Sequence, residues 1–63
     1  MGWNKIELQI IEELKERGYP GSVQETAAGA IHDSPDKAKE IRAKALSSKT
    51  AREVVKAMQP YLK

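Results

Sequence analysis

The amino-acid sequence predicts an all-α fold, a compact bundle of four short helices in a single 63-residue domain. Apolar residues recur at three- and four-residue spacing through each long segment, which is the period of a helix with one buried face. Segment starts carry Asn, Ser, Thr or Pro signals, and Gly and Pro punctuate the gaps between them. Neither an alternating run of strand length nor an internal repeat interrupts this pattern.

The expected helices cover residues 4–17, 22–32, 35–46 and 49–59. In the first, Trp3, Ile6, Ile10, Ile11 and Leu14 form the apolar stripe, with Leu8 on its flank, and Asn4 stands three residues before Glu7 as a cap. Gly18 stops this helix because glycine adopts a left-handed conformation at least cost, and Tyr19-Pro20-Gly21 turns the chain. Ser22 followed by Glu25 has capping-box spacing for the second helix, on which Val23, Ala27, Ala30 and Ile31 share a face. Such small side chains let neighbouring helices approach closely. Ser34 as cap, Pro35 at the first helical position and Asp36 in the first turn start the third helix, whose buried stripe is Ala38, Ile41 and Ala45. A turn near Leu46-Ser47-Ser48 leads to a fourth helix opening at Ser48 or at Thr50, the latter paired with Glu53. Ala51, Val54, Val55, Met58 and Leu62 then fall on one face, and Lys49, Arg52, Lys56 and Lys63 on the other. Pro60 ends or kinks this helix. The core is expected to centre on Ile10, Leu14, Ile31, Ile41, Val54 and Met58.

A chain of this size buries only about 60% of its unfolded surface, which leaves a small core and no room for a separate catalytic domain. There is no cysteine and only one histidine, so neither a disulfide framework nor a zinc site is expected, and no cofactor is assigned. The chain has no apolar run of membrane-spanning length and starts without a basic, apolar leader; a soluble, cytoplasmic protein is expected. His32, Asp33 and Ser34 are adjacent, but neighbours in sequence do not converge on one substrate atom, so they are not read as a triad and no enzyme activity is expected. His32 near a helix C-terminus is read as a dipole contact, and Trp3 as a core or edge anchor.

Charge is unevenly divided. Residues 1–33 hold three basic against six acidic residues, a balance of −3, whereas residues 34–63 hold eight basic against three acidic, a balance of +5. A basic half of this kind suits a polyanion as partner.

Val23 to Ile41 has the spacing of a helix-turn-helix unit. Ala27, Ala28 and Ile31 provide the small or apolar positions of its first helix, while Ala38 and Ile41 fall where a recognition helix packs back. Asp33 and His32 depart from the pattern, standing where an apolar residue and a glycine are usual. Glu16-Arg17-Gly18-Tyr19 with Gly21-x-Val23-x-x-x-Ala27 resembles the start of the DNA-binding domain of TetR-type regulators. Gly18-Tyr19-Pro20-x-Ser22-Val23-x-Glu25 is similar to a stretch of LexA-type repressors, though no wing follows. Together these resemblances cover roughly residues 6–46 and imply a tri-helical frame that binds double-stranded DNA.

A second placement competes. Leu46-Ser47-Ser48-Lys49-Thr50-Ala51-Arg52-Glu53-Val54 resembles the turn and recognition helix of LuxR-type regulators, with Lys44 or Arg42 at a preceding position that is normally apolar or small. Across both placements the candidate DNA contacts are Ser34, Lys37, Lys39, Ser48, Lys49, Arg52 and Lys56, the hydroxyls fixing register and the cations meeting phosphates or guanine edges. Two other readings come from the same residues. Capped helix starts, helices rich in Ala, Glu, Lys and Arg, the absence of Cys and Phe and a single Trp also suit an engineered bundle with no natural ligand. Arg17-Gly18-Tyr19-Pro20 resembles the Met-Gly-Phe loop of ubiquitin-associated domains, with arginine replacing the methionine.

Overall fold

Asn4 opens the first helix by a full capping box. Its side-chain oxygen accepts the Glu7 amide at 2.8 Å, and the Glu7 carboxylate reaches back to the Asn4 amide at 2.9 Å. From this start, a computed structural model of the chain, describing residues 2–63, runs through α1 (Lys5–Glu16), α2 (Gly21–Asp33), a 3-10 turn (Pro35–Lys37), α3 (Ala38–Ser47), α4 (Ala51–Met58) and a second 3-10 turn (Gln59–Tyr61). The described residues contain no strand, so the all-α bundle of four short helices stands.

Gly18 ends α1 as its position requires, with φ +82°. Its amide donates to Lys15 and that of Tyr19 to Leu14, which satisfies two of the carbonyls left open at the helix end. The second helix starts differently from the sequence expectation. Pro20 is the N-cap residue and its carbonyl accepts from Val23 and Gln24, so Ser22 already lies inside the helix and the Ser22–Glu25 capping box does not form. Gln24 instead ties the start down by donating from its amide nitrogen to the Tyr19 carbonyl at 2.9 Å.

The central element is α2, which packs against each of the other three helices. Ala27, Ala28 and Ala30 are fully buried, and three neighbours can close on one helix because these methyls take so little space. Ile10, Leu14, Ile31, Ile41, Val54 and Met58 complete the core as expected. The α1 stripe is rotated relative to its apolar pattern. Glu7, Ile10 and Leu14 face inward, while Ile6 and Trp3 remain 46% and 39% exposed. Glu7, hydrogen-bonded back to Asn4, is covered to 2% exposure, with His32 Nδ1 3.5 Å from its carboxylate.

After α2 the chain does not use Ser34 as a side-chain cap. Residues 35–37 form a 3-10 turn with Pro35 at its start, and α3 becomes α-helical only at Ala38. Thr50 is the N-cap of α4, accepting the Glu53 amide at 3.2 Å, so that helix opens at the later of its two expected positions. Tyr61, in the turn after Pro60, joins the core at 7% exposure.

Candidate nucleic-acid interface

Along the chain the seven candidate contact residues fall into two groups, before and after the body of α3. Ser34, Lys37 and Lys39 lie around its start, and Ser48, Lys49, Arg52 and Lys56 lie beyond its end and along α4.

At the first end, the Ser34 hydroxyl donates to the Tyr61 carbonyl at 3.1 Å and is thereby committed within the fold. The C-terminal segment lies across this junction. The Tyr61 hydroxyl donates to Glu40, Lys44 Nζ stands 5.3 Å from the centre of the Tyr61 ring, and the Lys63 amide donates to Asp33 at 3.1 Å. Hydrogen bonding from Tyr61 holds the Glu40 carboxyl below its ordinary range, with Lys37 and Lys44 adding to the effect; the Tyr61 hydroxyl likewise raises Lys44. Lys37 and Lys39 are exposed, but Asp36 and Glu40 alternate with them along the chain. A shallow groove lined by Ile6, Ala38 and Lys39 separates this end of α3 from α1.

Arg42 is engaged by an internal partner. It forms a bidentate pair with Glu13 of α1, Nε to Oε1 at 2.9 Å and Nη2 to Oε2 at 2.5 Å, and this hydrogen bonding raises the guanidinium pKa. The pair links α1 to α3.

The other end is more open. Ser48 caps the C-terminus of α3, its hydroxyl donating to the Lys44 carbonyl at 2.8 Å, and so does not cap α4 as the sequence suggested it might be used. Lys49 is exposed in the turn, and Arg52 and Lys56 are exposed one helical turn apart on α4. Val54 and Met58, fully buried on the opposite side, fix this orientation. Among the described residues none of Lys37, Lys39, Lys49, Arg52 and Lys56 has a carboxylate within ion-pair distance.

Sequence reasoning missed three of the groups that organise these surfaces: Glu7 as a buried acid, Arg42 as an interhelical clamp, and Tyr61 as the anchor of the C-terminal segment. Only Glu7 carried a local signal, its spacing from Asn4. Among the described residues no three His, Cys, Asp or Glu side chains come together as a metal site, and no helix is long and apolar enough to cross a membrane. No family model, characterised protein or solved structure matches the chain.

Proposed function

We propose that this chain is a non-enzymatic module that binds double-stranded DNA sequence-specifically through a helix-turn-helix. One observation carries the reading: five cations of the C-terminal half, Lys37, Lys39, Lys49, Arg52 and Lys56, are exposed without an ion-paired carboxylate among the described residues. Internal partners take up Arg42 and Lys44, so these five, with Lys63 at the C-terminal end, are the charge of this half that remains for an external polyanion. Duplex DNA suits this arrangement because its phosphates reward cations on a rigid helical surface, and a short helix can present side chains to base edges in the major groove.

Repeated enrichment of a random duplex pool on the immobilised chain tests the proposal. A retained pool that elutes with added salt and converges on a common motif is expected. A pool that stays random and is not retained even at low salt refutes it.

A further inference from the structure

The sequence allows two helix-turn-helix placements, and the faces left open on α3 and α4 distinguish them. Ala38, Ile41 and Ala45 of α3 are buried, Arg42 is clamped to Glu13, and Glu40 and Lys44 are engaged by Tyr61. The column left open contains Lys39 and, one turn on, Ala43, so it offers one cation. Lys37 precedes the helix and faces the field of Glu40. With Asp36 and Glu40 alongside Lys37 and Lys39, the start of α3 has no net local charge.

On α4 the balance is different. Arg52 and Lys56 are four residues apart, hence on one side and about 6 Å apart along the axis. Lys49 stands in the turn that leads into this helix. The single acid here, Glu53, is engaged with its own cap, its amide donating to Thr50 Oγ1 and its carboxylate accepting the Thr50 hydroxyl. Three cations against one acid leave a local charge of +2, on the side of α4 facing away from Val54 and Met58.

Resting on the DNA reading above, we infer that α3 and α4 form the operative unit, that α4 is the helix presented to the major groove, and that Arg52 is its base-reading residue. Arg52 is the second residue of α4, in the first turn, the part of a recognition helix that reaches base edges. It is also the only residue of the row whose planar, forked donors match the paired acceptors of guanine. Lys49 and Lys56, point charges on either side of it along the chain, hold phosphates. On unselected duplex all three cations meet phosphate; on the preferred motif Arg52 exchanges phosphate for a base edge.

Fluorescence anisotropy with two probes, an unselected random duplex and the duplex enriched by the parent chain, separates these roles. Lys49→Ala and Lys56→Ala should each reduce the salt slope on random duplex by about one and leave the preference for the enriched duplex intact. Arg52→Lys keeps the charge, so it should retain the slope on random duplex while losing on the order of tenfold or more of that preference. The double variant Lys37→Ala/Lys39→Ala should reduce the slope less than Lys49→Ala alone and leave the preference intact. Circular dichroism confirms that each variant is folded, and Arg52→Gln provides a second test at the same position. A larger loss from Lys37→Ala/Lys39→Ala than from Lys49→Ala, or full preference retained by both Arg52 variants, overturns this assignment while leaving DNA binding standing. A parent chain that binds neither duplex removes the DNA reading and the assignment with it.

Discussion

Replacing Ile41 by alanine tests the packing on which every surface argument depends. Ile41 is fully buried on α3, a helix that packs against α1, α2 and α4, so truncation opens a void at the centre of the bundle. Removing three carbon groups at about 0.8 kcal/mol each costs roughly 2.4 kcal/mol in transfer free energy. A cavity contribution adds to this, within an overall range of about 2–5 kcal/mol for such truncations. Relaxation should recover little, because much of this core is alanine, and a methyl group has no rotamer with which to fill a gap. At roughly 0.05–0.15 kcal/mol per residue the whole domain is stable by only about 3–9 kcal/mol, so the loss is a large share of the total. A fall in melting temperature of at least about 10 °C is expected by circular dichroism, at about 4–8 °C per kcal/mol. Ile6→Ala, at a half-exposed position on α1, serves as the control and should shift stability far less. An Ile41→Ala protein that melts with its parent would show that the helix phases are wrong, and with them the outward direction of Arg52 and Lys56.

Two glycines should respond with opposite signs to the same substitution. Gly18→Ala forces a side chain into φ +82° and should destabilise by about 1–2 kcal/mol, although the space around it is open. Gly29→Ala places a methyl 3.8 Å from Leu62 in ordinary contact inside α2, and should stabilise by about 0.5–1 kcal/mol; denaturant titration reads both. Asn4→Ala and Thr50→Ala should each lose about 1 kcal/mol as true caps, whereas Ser22→Ala, already inside its helix, should stay within about 0.5 kcal/mol of the parent in the same titration. Glu40 is held below the ordinary carboxylate range chiefly by Tyr61, so its contribution to stability is present above the unfolded value near 4.5 and is lost as pH falls through the lower folded value. Thermal melts from pH 6 down to about pH 3 should show less acid sensitivity in Tyr61→Phe than in the parent; identical profiles would rule out this coupling.

The fold was legible because its signals are local. Cap spacing at Asn4 and Thr50, the glycine at position 18 and the helical period of the core residues each act over one or two turns, where sequence neighbours are also spatial neighbours. The misread features are those that local spacing does not settle by itself. Ser22 has the spacing of a cap, but Pro20 takes the cap position and the helix starts two residues earlier. Ser34 looks like a cap until Tyr61, 27 residues away, accepts its hydroxyl. The +5 balance of the C-terminal half suits a polyanion, yet it did not reveal that Arg42 would be tied to Glu13 across 29 residues or that Lys44 would stand over the Tyr61 ring. The α1 stripe was displaced as well, with Glu7 inside beside His32 and Ile6 outside, which the apolar pattern alone does not show.

The central claim is that the free cations of this fold bind duplex DNA, and a salt-dependent titration tests it most directly. The unmodified chain is titrated into a labelled random duplex at about 50 mM and about 200 mM monovalent salt. Three phosphate contacts, from Lys49, Arg52 and Lys56, give a logarithmic slope near −2.7 and an affinity about 40-fold weaker at the higher salt. Saturable binding with a decrease of that order is the expected result. Absence of binding at the lower salt, or binding indifferent to salt, contradicts the claim and leaves a bundle whose basic face is simply solvated.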